Sequence, residues 1–389
     1  MKALWTVCMK ELRELSRDRR TLMLALVMGP LVVPALLLGM LTLAQSRTKS
    51  QIDKPLQIAI VGADRAPELV KWLAAEGIER KQLASDPDAA IRSQDEDAYV
   101  RIGDDFGKDW QAGNPALVEI VHDSTRQDSA IPVKRIENAL QRYGQQVGAL
   151  RLLARGINPA VAAPLSVAHK DLSTPEARRG MVMAFLPYLL ILSAFVGGAY
   201  LIIDTTAGER ERQSLEPLLA TPASRGAIVS GKIVAASLVG LATLLLTLLA
   251  LKVGAQFVPG IGKMMDVRML AIAKMLLILL PMLFIGTALL TFIAAGAKSV
   301  KEAQSYMSML MLLPIVPTVM LMVSPIRTQL WQYTVPFLAQ NQMLMKVIRS
   351  EPVKALEWAV YFGAGFGVAA LLWFAATRRY RQERLAIST

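Results

Sequence analysis

The sequence predicts a membrane α-helical fold: six transmembrane helices per protomer, with an α/β extracytoplasmic domain inserted between the first and the second. Three observations lead there. Of 389 residues, 53% are hydrophobic and only 19% charged, which excludes a purely soluble enzyme. Six uncharged runs, at 21–44, 181–203, 233–251, 275–297, 303–326 and 358–377, match the length of about 20 residues that a helix needs to cross a bilayer. One long polar stretch, 45–180, separates the first run from the other five.

Residues 1–20 place Leu4, Trp5, Cys8, Leu12 and Leu15 on one helical face, with Lys10, Arg13, Glu14 and Arg17 elsewhere. This is the pattern of an amphipathic helix lying in the inner membrane interface; a cytoplasmic extension of the first spanning helix is the other reading. The 21–44 run is too long, and starts too far into the chain, for the apolar part of a signal peptide, so it reads as an uncleaved anchor. A further uncharged stretch, 328–345, is interrupted by Gln329, Gln332, Gln340, Asn341 and Gln342. It reads as short helices in an outer interfacial segment, 328–349, or as a re-entrant hairpin.

Basic residues set the orientation, because Lys and Arg concentrate in short cytoplasmic loops. Lys2, Lys10, Arg13, Arg17, Arg19 and Arg20 precede the first run, and Arg210, Arg212 and Arg225 fall in the 204–226 loop. Lys298 and Lys301 lie on the same side, as do Arg378, Arg379, Arg381 and Arg384 of the 378–389 tail. The opposite side holds Lys252, Lys263, Arg268, Arg327, Lys346 and Arg349. Both termini are therefore expected in the cytoplasm and the insert outside it. The insert carries 19 basic and 19 acidic residues, so the net charge of +12 belongs to the membrane part and records orientation. That removes the case for a nucleic-acid partner.

Within the insert, 56–61 is strand-like, 67–76 has helical spacing, and 98–102 and 116–121 are further strands separated by Gly113-Asn114-Pro115. A long helix is expected at 127–155 and a last strand near 163–168. The single Cys8 cannot close an internal disulfide, and His122 and His169 are too few for a His-rich metal site, so no metal site is expected.

The loop at 204–226 is the most informative segment. Its charges gather at Glu209, Arg210, Glu211 and Arg212, and Leu215, Leu218 and Leu219 then form an apolar ridge on a short helix that stops before Pro222. Such a helix suits docking into a groove of a partner protein or lying on the lipid surface.

The stretch 208–232, Gly-Glu-Arg-Glu-Arg-Gln-Ser-Leu-Glu-Pro-Leu-Leu-Ala-Thr-Pro-Ala-Ser-Arg-Gly-Ala-Ile-Val-Ser-Gly-Lys, resembles the signature around the coupling helix of the ABC type-2 exporter permeases. Ala98-Tyr-Val-Arg-Ile-Gly-Asp-Asp-Phe106 and Val118-Glu-Ile-Val-His-Asp-Ser124 are similar to the external domain of that family's NatB-like branch of sodium-efflux permeases. The order of amphipathic helix, span, large insert and five spans is also similar. The resemblance implies the ABC type-2 exporter architecture in the inner (plasma) membrane. It also implies a second permease protomer, identical or related, and two cytoplasmic ATPase subunits. Carried over, Glu209, Arg210, Glu211, Arg212, Leu215, Glu216, Leu218, Leu219 and Thr221 would form the ATPase-coupling contact.

No Gly-x-x-x-x-Gly-Lys-Ser/Thr run occurs, and Gly260-Ile-Gly-Lys263 lacks its spacing. The chain is therefore expected to be no enzyme and to hold no cofactor, ATP and magnesium belonging to the partner subunit. The six runs contain no charged residue; Asp204 lies just past the second, and Lys232, Lys274 and Glu357 lie near enough to span ends to snorkel. This disfavours a proton-coupled carrier. Ser193, Thr287 and Thr291, or carbonyls freed near Pro187, Pro281, Pro314 and Pro317, could line a cation path, and equally could be ordinary helix contacts. The expected function is ATP-driven efflux of a cation such as sodium, or of an amphipathic drug-like or lipid-like compound. A membrane scaffold or sensor that transports nothing is the alternative from another class.

Overall fold

The computed structural model describes residues 2–82, 86–126, 129–162, 165, 170–214, 217, 221–258, 262, 267–323 and 328–380. The chain divides into two compact units. One is built from residues 1–42 and 172–389, the other from 43–171.

The smaller unit holds a four-stranded sheet in the order β2-β1-β3-β4, with β1 Leu56–Val61, β2 Ile78–Lys81, β3 Ala98–Ile102 and β4 Val118–His122. Strand β1 pairs parallel to β2 and to β3, while β4 runs antiparallel to β3. A parallel pair needs a crossover. The Pro67–Ala75 helix lies between β1 and β2 in the chain and Pro87–Arg92 between β2 and β3, each opening on a proline at its first turn. Alternation of side chains divides the two sheet faces. Ile58, Ile60, Val100 and Ile102 face a core completed by Leu69, Leu73, Phe106 and Ile136, the last from the long Ala130–Ala154 helix. Ala59 and Tyr99 face the other way, onto Ile91. Gly113 closes the Phe106–Ala112 helix at φ 80°, a left-handed conformation natural to glycine. The strand expected at 163–168 falls, apart from Leu165, outside the described residues, as does Gln127 of the expected helix.

In the larger unit, six helices among the described residues are long and apolar enough to cross a membrane: Leu26–Leu43, Leu186–Glu211, Arg225–Ala255, Met269–Ala294, Val300–Leu321 and Ala355–Tyr380. More than half of the most apolar stretch of the second, third and fourth is buried in the protein, whereas less than a quarter of that stretch is buried in the first, fifth and sixth. Leu190, Phe195, Leu244, Leu248, Ile278 and Leu283 form the centre of the core. Glycines allow the close approach there. A Cβ on Gly286 would stand 2.5 Å from the Phe195 carbonyl oxygen, and one on Gly198 2.5 Å from that of Ala236.

The apolar run beginning at Met181 is divided by a turn at 183–185, with Pro187 in the first turn of the helix that follows. The fifth span breaks at 311–314 between Val300–Leu310 and Ile315–Val323, where Pro314 and Pro317 remove backbone donors. Its start is fixed by Ser299, whose hydroxyl accepts from the Glu302 amide at 3.2 Å while Glu302 accepts from the Lys298 amide at 2.7 Å. The 328–349 segment forms a 3-10 turn, Leu330–Thr334, and the 11-residue helix Leu338–Ile348, too short to span. Both bury polar side chains: Gln332, Gln340 and Asn341 lie inside, and Asn341 donates to Thr318 at 3.1 Å.

Candidate functional site

The second span does not end where its apolar run ends at Ile203. It continues through a π-helical turn, Asp204–Gly208, into Glu209–Glu211, and terminates at Gln213 with φ 56°. A π turn inserts one extra residue and rotates everything after it. Ser224 then caps the third-span helix, its hydroxyl accepting from the Ala227 amide at 3.3 Å.

Through this geometry the four charged residues 209–212 are bound into the protein itself. Glu209 is buried; one carboxylate oxygen pairs with Lys232 and the other accepts from Lys10 at 3.1 Å. Lys232 is fully buried on the third-span helix and also donates to the Thr205 carbonyl. Arg210 donates to the Ala297 carbonyl at 3.2 Å, and Glu211 accepts from the Val300 amide at 2.9 Å, both at the join of the fourth and fifth spans. Arg212 reaches back to Asp204 at 3.0 Å. The segment therefore ties together the amino-terminal helix and the second to fifth spans.

The amino-terminal helix, Lys2–Arg17, completes the arrangement. Its buried face is Val7, Cys8, Glu11 and Leu15, while Trp5 is exposed. It lies so near the third span that a Cβ on Gly231 would stand 2.7 Å from the Val7 Cβ. Burial holds the Glu11 carboxyl above its ordinary range despite the attraction of Lys232 and Lys10. Burial opposes the charge on Lys10, but Glu11, Glu209 and Glu14 together outweigh it and hold that ammonium well above the ordinary lysine value.

Lys232 and Glu357 do not snorkel. Glu209 and Lys346, respectively, sit close enough to neutralise them inside the protein, the latter pair at 2.6 Å. A buried ion must find such a partner. Asp204 and Lys274 remain exposed. The inward role of Lys10, Glu11 and Lys232 has no motif in the sequence to announce it. One signal does precede it: Lys232 stands among Ile228, Val229, Ile233 and Ala235, with little polar surface around it to lead its charge out.

Of the other coupling residues, Thr221 is exposed, and Leu215, Glu216, Leu218 and Leu219 lie outside the described residues. Of the three hydroxyls considered for a substrate path, Ser193 lies on the second span and Thr287 and Thr291 on the fourth. Thr287 and Thr291 are fully buried and bond to the carbonyls of Leu283 and Thr287 at 2.8 and 2.7 Å. Thr287 also meets Ser237 across the helix interface at 3.0 Å, and Ser193 is half-buried on the second span. Among the described residues, no group of three His, Cys, Asp or Glu side chains is placed to hold a metal ion.

The chain is similar to the ABC transporter permease protein NatB of Bacillus subtilis (strain 168), with 28% identity over 347 residues, which are 87% of this chain and 88% of that protein. Residues 19–377 match the family described as ABC-2 family transporter protein, taking in the insert, the charged segment 209–212 and every candidate span but the last three residues of the sixth. This chain is a multi-pass membrane protein and belongs to the ABC-2 transporter family, as a permease.

Proposed function

We propose that the chain is the membrane subunit of an ATP-driven exporter in the plasma membrane. Two protomers pair with two cytoplasmic ATPase subunits, the termini are cytoplasmic and 45–180 is extracytoplasmic. The observation that carries the reading is the buried Glu209–Lys232 contact, with Lys10 on its other side. Force applied to the segment from Glu209 to Thr221 has a stiff route into the second and third spans and the amino-terminal helix, because parting two ions in a low-dielectric interior is costly. Within that segment Arg212 and Thr221 present outward surface, and Leu215, Glu216, Leu218 and Leu219 supply the ridge that meets the ATPase. Glu209, Arg210 and Glu211 form the hinge behind it. ATP and magnesium are held by the partner.

The cargo is a cation, with sodium first to test because the resemblance to sodium-efflux permeases supports it; an amphipathic compound is the alternative. In proteoliposomes holding the chain and its ATPase, ATP is expected to drive sodium movement, and that movement is lost when Leu218 and Leu219 are both changed to Asp. Sodium flux indifferent to ATP would remove the sodium assignment. ATPase binding and transport that survive the double change would remove the docking assignment.

A further inference from the structure

The amino-terminal helix, Lys2–Arg17, turns its apolar ridge toward the protein. Val7, Cys8 and Leu15 are buried, and the helix packs against the third span at Gly231. Trp5, 57% exposed, stands outward at the edge of that ridge. With 3.6 residues per turn, the face opposite the buried one carries Lys2, Thr6, Met9, Arg13, Ser16 and Arg17. This face holds three cations and no carboxylate. Lys2, Arg13 and Arg17 are all exposed, and among the described residues none of their side chains forms an ion pair.

The acidic residues of the helix lie off this face and are already answered. Glu11 and Glu14 both meet Lys10, at 3.3 and 3.4 Å, and Asp18, just past the helix end, is likewise engaged. Position in the chain sets the level of the free cations. Arg17 stands four residues before the apolar run that opens at 21, and Arg19, exposed and without an ion pair, stands two before it. Helix Arg19–Met23 carries the chain into that run. At about 1.5 Å per residue, both arginines lie within roughly 6 Å of its start along the chain, the level of phospholipid headgroups. An exposed indole belongs to the same layer.

We infer that the outward face of this helix is a docking surface for acidic phospholipid headgroups, with Arg13 and Arg17, one turn apart, taking the phosphates and Trp5 seated among the headgroups. A guanidinium matches a phosphate bidentately. Lys2 adds a third charge farther along the helix, and each such cation strengthens association with an anionic bilayer surface about fivefold. An acidic protein surface would also answer the charges, but the nearness of the first span and the exposed indole favour the bilayer. From its other side the same helix holds Glu209 through Lys10 at 3.1 Å. One rigid element therefore meets both the lipid surface and the 209–212 segment. Lipid binding is read on the permease alone, so its failure would leave the ATPase-coupling reading untouched.

The test is equilibrium binding of phosphatidylglycerol with a fluorescent acyl chain to the purified full-length protein in mild detergent, with phosphatidylcholine of the same chains as the zwitterionic counterpart. Phosphatidylglycerol is expected to bind at least about tenfold more tightly, an advantage that shrinks as ionic strength rises. Arg13→Gln combined with Arg17→Gln is expected to weaken it about fivefold per cation removed and to leave phosphatidylcholine unchanged. Both side chains are exposed and unpaired, so the double variant is expected to keep the wild-type unfolding temperature. Removing two exposed cations elsewhere, by Arg268→Gln and Lys274→Gln, is expected to have no effect, which separates this face from net charge. Equal affinity for the two lipids, or an equal loss in that control, would overturn the proposal. Phosphatidylglycerol affinity that survives the Arg13 and Arg17 changes would also overturn it, and ATPase capture lost in the same variant would assign the face to that subunit. Release of the probe by free glycerol phosphate as readily as by unlabelled lipid would assign the face to a soluble phosphate instead.

Discussion

Lys232 has no exposed surface, so its ammonium is tolerated only because Glu209 and the Thr205 carbonyl take the place of water. Lys232→Met leaves Glu209 buried with Lys10 alone, and loss of one partner of a buried pair is expected to cost about 3 kcal/mol. Pairing it with Glu209→Gln is expected to restore part of that loss, because no unpaired charge remains. Thermal unfolding of the purified single and double variants checks both statements. Glu11 gives a pH dependence of defined sign. Burial raises its folded-state pKa above the unfolded value, so its contribution is fully present below the unfolded carboxylate value and is lost as pH rises through the folded one. The unfolding temperature is expected to fall over that window, and Glu11→Gln is expected to flatten the slope. A wild-type slope that Glu11→Gln leaves unchanged would assign it to other groups.

At the scale of elements, the second, third and fourth spans are held together by backbone approaches that only glycine permits. Gly286→Ala sets a Cβ 2.5 Å from the Phe195 carbonyl oxygen and 3.0 Å from its Cα, both backbone atoms that cannot turn aside. The expected cost is about 1–3 kcal/mol, as for other overpacked cores, measured as a drop in unfolding temperature. The spans were legible in the sequence because about 20 uncharged residues leave few alternatives, and β1 and β3 because their Val, Ile and Tyr stand out from polar surroundings. Strand β2 was not: Ile-Glu-Arg-Lys buries only Ile78, and a sheet-edge strand with three exposed polar side chains has no apolar periodicity to read. The inward turn of Glu209 was equally hidden, because a π turn at 204–208 changes the facing of each later residue without a mark in composition. For the same reason the charges of 209–212 carry no mark in the sequence that most of their bonds are internal.

For the whole molecule, the division into two units carries its own consequence. The 43–171 unit has a separate core around Ile58, Val100, Leu73 and Ile136 and is large enough to fold alone. Residues 54–162 expressed by themselves are expected to unfold cooperatively in denaturant; a chain lacking near-ultraviolet dichroism would show that the insert depends on the membrane part. In the proposed function a separate ATPase works through the segment after the second span. Affinity capture of the full-length chain in mild detergent, followed by quantification of retained ABC ATPase and of ATP hydrolysis, tests it most directly. About one ATPase subunit per permease with ATP turnover is the expected result, both lost in a properly inserted protein in which Leu218 and Leu219 are Asp. An ATPase retained equally by that variant, or none retained by the wild-type chain, would contradict it.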